Sequence, residues 1–308
     1  MTSYYRIMLG RKSSLAKECY EDKWFGGHWD FKDSLENNLP ESRKEFISIH
    51  KPTYLKNNPE AKNVTAGLAC GMLYTICKGI KKNDIVLCPD GEGRYWIGKV
   101  ISDYYFVQGG NMPHRRSVEW YDKTILRSEM SESLRYSTGS IGTVADITKY
   151  AQEIEGFVSG SITNNVFTTD ETIEDPSSFA LEKHLEDFLV KNWSSTLLGE
   201  NYNIVEENGE LIGQQYSTDT GPIDILAISK DEKEILVIEL KKGRASDAVV
   251  GQVLRYMGFI SSEVADSNQI VKGCIIALED DLRIRNALSI IPNVDFYKYE
   301  VRFKLIKN

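Results

Sequence analysis

Histidine and cysteine are scarce, at four and five in 308 residues. His28, His50, His114 and His184 are scattered without ligand spacing, and Cys19, Cys70, Cys77, Cys88 and Cys274 include no CxxC pair. This excludes a zinc ribbon, a His-built metal centre and a disulfide framework, so any metal would be bound by oxygen. The cysteines read as reduced, mostly buried thiols. No apolar run approaches the roughly 20 residues that cross a bilayer, and the opening MTSYYRIMLGRKSS lacks the apolar core of a secretory signal. The expectation is a cytoplasmic chain with no membrane partner. Repeats and low-complexity tracts are missing as well.

What is present is the composition of an ordinary globular protein, 41% hydrophobic and 27% charged, long enough for two domains. The net charge of -8 would disfavour a polyanionic partner if it were evenly spread, and it is not. Residues 1 to 158 hold 22 Lys+Arg against 20 Asp+Glu, net +2; residues 159 to 308 hold 15 against 25, net -10. The first half is the better holder of a polyanion, and the second would need a metal ion or a local basic rim to tolerate one.

GFVSGSITNNVFTTDETIEDPSSF, residues 156 to 179, is rich in Ser, Thr, Asn and acid and reads as a linker. The expected division is a substrate-recognition domain over 1–158, a linker over 159–177 and a second domain over 178–308. Upstream, NVTAGLACGMLYTICKGI reads as a helix, KKNDIVLCPDGEGRYWIGKVISDYYF as two strands around a DGEG turn, HRRSVEWY as a short strand and GTVADITKYAQEIEGF as a closing helix. Together they suggest an α+β domain with a small β-barrel. Downstream, SFALEKHLEDFLVKNW is a helix, YNIVEENGELIGQQY a hairpin, and PIDILAIS and EILVIELK two strands joined by KDEK. DAVVGQVLRYMGFI, VKGCIIALE, DLRIRNALSII and VDFYKYEVRFKLI follow as helix, strand, helix and strand. This order gives an α/β domain, a mixed sheet flanked by helices.

The two central strands carry charge where a core would not. Glu239 and Lys241, two apart, point to the same face. A hairpin through KDEK brings Asp224, at the start of one strand, beside Glu239 at the end of the next. Asp224, Glu239 and the backbone carbonyl of Leu240 offer the hard oxygen ligands that Mg²⁺ prefers. Such an ion serves phosphate ester hydrolysis by stabilising charge and lowering the pKa of a bound water, and Lys241 would orient that water or offset phosphate charge. Strand ends also carry solvated charge for no catalytic reason, so the triplet alone leaves both readings open.

With P-I-D at 222 to 224 and E-L-K at 239 to 241, the chain resembles the PD-(D/E)XK nuclease superfamily. GPIDILAI and ILVIELKKGRASDAVVGQVLRYMGFI look more specifically like the C-terminal nuclease domain of the NucS/EndoMS endonucleases. The resemblance covers roughly residues 178 to 308 and implies a restriction-endonuclease-like fold. It implies Asp224 and Glu239 as metal ligands, Lys241 as a catalytic residue, and Glu182, Gln252 and Tyr256 as the remaining members of the site. Glu182 lies roughly 70° from the centre of its helix's apolar stripe and Glu186 about 110°, which favours Glu182. Gln252 and Tyr256, four apart, share one helix face, which an ordinary helix surface would also explain. Arg244 is a candidate phosphate contact.

The first half is weakly similar to PUA/EVE-type β-barrel modules of restriction proteins, some of which take a base into an aromatic pocket. KWFGGHWDF places Trp24 and Trp29 beside a Gly-Gly turn, as core or as binding surface. Arg115 and Arg116 of HRR are suited to phosphate contact or form a plain basic edge. Trp96 and Trp120 read as core. These resemblances imply a Mg²⁺-dependent DNA endonuclease, with Mn²⁺ as a substitute, acting as a homodimer in restriction of foreign or modified DNA. The alternatives are a mismatch or structure-specific repair endonuclease, an RNA substrate, and a non-catalytic nucleic-acid-binding protein on a nuclease fold.

Overall fold

Thirteen strands and eight α-helices are distributed over two sheets in the computed structural model, which describes residues 2–139, 142–159, 176–207, 210–218 and 220–300. The first sheet contains β1 (Tyr4–Ile7), β2 (Trp24–Gly27), β3 (Ile85–Pro89), β4 (Arg94–Val100), β5 (Tyr105–Phe106), β6 (His114–Leu126) and β7 (Val144–Asp146), in the order β2-β6-β4-β3-β1-β7 with β5 also on β6. β1 and β3 run parallel and the other pairs antiparallel. β6 is the hinge of this sheet. Its first residues pair with β2 and β5, its later ones with β4, and the register shifts between Trp96 and Gly98. Gly98 is required there, because a Cβ would lie 2.6 Å from the Trp120 ring. The sheet curls, and no pairing joins β2 to β7 among the described residues, so the barrel expected from the sequence is a half-barrel.

Helices α1 (Ala16–Glu21), α2 (Arg43–Asn57), α3 (Asn63–Tyr74), α4 (Glu132–Thr138) and α5 (Ala151–Ser159) flank this sheet. Ser42 caps α2 by accepting from the Glu45 N–H at 3.3 Å. GTVADITKYAQEIEGF, expected to be one helix, is strand β7, a 3-10 turn at Thr148–Tyr150 and then α5. Its Val-Ala-Asp start is drawn into the sheet by pairing with β1, so tertiary contact overrides helical periodicity.

The second sheet orders β13-β12-β11-β10-β8, with β9 also on β10. Its strands are β8 (Tyr202–Ile204), β9 (Gln214–Thr218), β10 (Gly221–Ser229), β11 (Glu234–Arg244), β12 (Ile270–Glu279) and β13 (Val294–Lys298), and its helices α6 (Pro176–Lys191), α7 (Ala248–Glu263) and α8 (Leu282–Leu288). β10 and β11 form the expected antiparallel pair, while β11, β12 and β13 run parallel. The expected hairpin over 202–216 is reduced to a short antiparallel bridge between Glu207 and Glu210, whose backbones exchange hydrogen bonds at 2.8 and 2.9 Å. β8 and β9 each pair with β10, end to end along it, and not with each other. The expected strand residues 301–306 and the centre of the expected linker lie outside the described residues.

Side-chain alternation divides this core. Leu236, Ile238 and Leu240 pack with Leu185 and Leu189 of α6 and with Trp193. Ile235 and Val237 pack with Tyr256 and Ile260 of α7, and Val64 and Leu68 of α3 join the same cluster. The two halves thus share a hydrophobic core, and polar links reinforce it. The buried Lys51 ammonium meets both Asp266 oxygens at 2.6 Å, Tyr54 donates to Glu207 at 2.6 Å, and Arg43 donates to the Glu263 carbonyl at 3.1 Å. The five cysteines are free and buried, and among the described residues no helix is long and apolar enough to cross a membrane.

Candidate active site

Four acids and a lysine meet where β10 and β11 leave the core. The register Ile225↔Ile238 continues by one step to set Asp224 opposite Glu239. Residues directly opposite in an antiparallel pair share a face, so their carboxylates stand side by side. Alternation along β11 puts Glu239 and Lys241 on the face of Val237. Asp224 is fixed from two sides: its Oδ2 accepts from the Leu240 N–H at 2.8 Å and its Oδ1 from Gln215 Nε2 at 2.9 Å. Lys241 Nζ donates to Glu239 Oε1 at 3.1 Å. Glu239 Oε2 is buried without a hydrogen-bond partner among the described residues.

Helix α6 supplies two more acids, one turn apart. Glu182 Oε1 accepts from the Lys242 N–H at 3.2 Å, which ties the helix to the end of β11. Glu186, which the helical wheel disfavoured, is 1% exposed and is a hub. It accepts from Gln214 Nε2 and Gln215 Nε2, each at 2.6 Å, and from the Tyr136 hydroxyl of α4. A chain of contacts therefore runs from Tyr136 in the first half through Glu186 and Gln215 to Asp224. Gln215 adopts a left-handed backbone, φ 51°, in which a non-glycine residue is strained by about 1–3 kcal/mol. That conformation accompanies a buried side chain whose single amide nitrogen reaches two acids. No feature of the sequence marked Gln215; the four-residue spacing of Glu182 and Glu186 was the visible trace of Glu186.

Crowded carboxylates raise one another's proton affinity. Burial, then the Asp224 charge, push Glu239 up to about 8 and Glu186 up to about 9. Burial also raises Asp224, against the Lys241 charge and the Leu240 hydrogen bond, and raises Glu182. Burial alone would lower Lys241, but Glu239, Glu182 and Asp224 outweigh it and its pKa rises. The site is thus an oxygen-rich pocket whose crowded acids hold protons tightly, with one ammonium held inside. Among the described residues no three His, Cys, Asp or Glu side chains form a metal centre by themselves. The orphan oxygen of Glu239 beside Asp224 nonetheless fits a hard cation, which would take these two carboxylates and the Leu240 carbonyl as donors.

Gln252 and Tyr256 are buried on α7, and Gln252 donates to the Tyr256 hydroxyl at 3.3 Å. That hydroxyl lies 3.0 Å from where a Cβ on Gly221 would sit, three residues before Asp224. Gly221, with φ +132°, is a position that only glycine fills without strain. Arg244 lies beyond the site at the exposed end of β11, paired with Glu279 at 3.2 Å.

The residues singled out in the first half stand elsewhere. Arg116 is buried and donates to the carbonyls of Ile76 at 2.5 Å, Cys77 at 2.7 Å and Ser102 at 3.1 Å, so it is a structural tie and no phosphate contact. Arg115 donates to the Met112 carbonyl at 2.7 Å and stacks 3.5 Å over the ring of Trp24, which is itself core. His114 is buried between the Tyr104 hydroxyl and the Phe31 carbonyl, and burial pushes its pKa down to about 4. Trp29 packs against the cluster of Phe31, Phe46 and Tyr54. Of the two readings left open for Trp24 and Trp29, the structure shows core. Trp96 and Trp120 are only partly buried, and Tyr20 stacks on them at 4.5 and 5.7 Å.

Residues 181–287 match the family model of the endonuclease NucS C-terminal domain, to which this half is similar. Residues 5–148 match a domain of unknown function, DUF8426. No curated protein sequence matches the chain. Among solved structures, a repair endonuclease from Pyrococcus abyssi is similar at 15% identity and TM-score 0.31, over 69% of this chain and 66% of that one. An EndoMS–dsDNA complex is similar at 13% identity and TM-score 0.32, over 71% and 66%. EndoMS in apo form is similar at 20% identity and TM-score 0.26, over 39% and 45%. The matched part of the chain thus spans just under two thirds of the length of the first two.

Proposed function

We propose that the chain is an endonuclease that hydrolyses phosphodiester bonds in DNA with the help of Mg²⁺ or Mn²⁺. The observation that carries this reading is the pairing of Asp224 with Glu239, with Lys241 at 3.1 Å from Glu239, inside the segment that matches the NucS C-terminal domain. Asp224, Glu239 and the Leu240 carbonyl would hold the ion, which when bound supplies charge stabilisation to the phosphoryl transition state and acidifies a water. The chain's own residues do the rest. Leu240 N–H and Gln215 fix the Asp224 carboxylate, so its geometry is set before substrate arrives. Lys241 brings a permanent positive charge to the reacting phosphate. Glu182 holds the end of β11 in place through the Lys242 N–H.

One such site cuts one strand, so a double-strand break requires a homodimer or two successive nicks. Repair is the role named for one of the similar structures, and restriction of modified DNA is the role expected from the sequence. The first measurement is cleavage of three DNAs with Mg²⁺ or Mn²⁺: plain supercoiled, cytosine-modified and mismatched. Wild type is compared with Glu239→Ala. Metal-dependent cutting lost in the variant supports the nuclease, and the preferred DNA decides its role. Binding without cutting of any substrate would replace the enzyme with a binding protein on a nuclease fold.

A further inference from the structure

The acid-rich site must receive a polyanion, and the half that contains it carries a net charge of -10. Lys241 lies inside the site against Glu239, and a second cation at the mouth would add to its charge. The first half provides one. β7 is stitched to β9 by the Asp146 N–H, which donates to Ser217 Oγ at 3.0 Å. The chain then turns through Thr148–Tyr150, where the Thr148 N–H donates to Asp146 Oδ1 at 2.8 Å and the Tyr150 N–H to the Ile147 carbonyl at 2.9 Å. This turn delivers the exposed Lys149 to the start of β10. Its Nζ lies 3.7 Å from the point where a Cβ on Gly221 would sit, and the Tyr256 hydroxyl lies 3.0 Å from the same point. An ammonium and a hydroxyl from different halves of the chain thus lie close to one spot, kept free of a side chain by Gly221.

We propose that Lys149 is a substrate-contacting residue of the nuclease site, binding a backbone phosphate of the nucleic acid strand next to the bond that is cut. The inference rests on the nuclease reading and deepens it, because it makes the first half a direct contributor to the active site. Lys149 lies outside the 181–287 segment that matches the nuclease family, so the contact is a property of this pairing of halves.

The test uses the full chain and a labelled DNA duplex in EDTA, with affinity measured between about 50 and 200 mM salt. Loss of one phosphate contact lowers the slope of log affinity against log salt by about 1. Lys149→Met is expected to show that loss and Lys149→Arg to restore the wild-type slope. A cation that merely holds the two halves together would change thermal stability and leave the slope alone. An unchanged slope in Lys149→Met, with wild type still cutting DNA, would overturn the contact and spare the nuclease. A reduced slope in a protein that cuts nothing would keep the contact and remove the nuclease. No binding of the duplex by wild type would remove both.

Discussion

Asp224 and Glu239 face each other across β10 and β11, and the backbone N–H of Leu240 holds the Asp224 carboxylate at 2.8 Å. Two acids so placed, one with an oxygen that no hydrogen bond satisfies, favour either a proton or a metal ion. Mg²⁺ or Mn²⁺ at a hundredfold excess over Kd should therefore stabilise the chain by about 2.7 kcal/mol. Thermal melts should show this rise in wild type and none in Asp224→Ala. Cleavage should be lost in Glu239→Ala, which removes one of the carboxylates that would hold the ion. Equal metal-induced shifts in wild type and Asp224→Ala would place the ion elsewhere.

Gln215 connects Glu186 to Asp224 through one amide nitrogen, at 2.6 and 2.9 Å. Supports of this kind orient the groups that do the chemistry, and losing one costs about 10–100-fold in metal affinity or activity. Gln215→Ala should lower cleavage by that amount and raise the metal concentration needed for half-maximal rate. A change in rate with no change in metal dependence would limit the role of Gln215 to folding.

Glu186 gives a pH dependence whose sign follows from its environment. Burial and Asp224 raise it from an ordinary 4.5 up to about 9, so the folded chain keeps a proton there that the unfolded chain releases. The resulting stability is fully present below about pH 4.5 and is lost as pH rises through about 9. Denaturation midpoints of Glu186→Gln should vary less than those of wild type across this range. Parallel curves for the two proteins would assign the pH dependence to other acids.

The Lys51–Asp266 pair spans the two halves with Lys51 only 10% exposed and Asp266 38% exposed. Breaking a fully buried pair from one side costs about 3–5 kcal/mol, and the exposure of Asp266 reduces this to about 1–3 kcal/mol. Lys51→Met should lose that much stability in urea titrations. The second change Asp266→Asn should recover part of it, since it removes the charge left unpaired. Losses that simply add would show that the two side chains act separately.

Much of the second half could be read from its sequence because its signals are local. Apolar runs at 223–228 and 235–240, a turn between them and acids at their ends fix a hairpin and its register without outside help. Glu186 and Gln215 escaped for the opposite reason: each is defined by a partner distant in sequence. Glu186 is buried because Tyr136, fifty positions earlier, covers it, and Gln215 reaches the site by a backbone twist that no residue pattern announces. Arg115 and Arg116 misled because two consecutive basic residues on a strand look like an exposed edge. Here the strand crosses the interior, and the guanidinium groups of both residues are claimed by backbone carbonyls.

Tyr136 reaching Glu186, and Val64 and Leu68 sharing a cluster with Ile223 and Tyr256, carry a consequence for dissecting the protein. A fragment starting at the linker would be born with an apolar wound where α3 had been and with Glu186 stripped of its cover. The second half is therefore not a portable cassette. Grafted onto a foreign partner it would have to be resurfaced first, and natural variants that alter the first half should spare this seam.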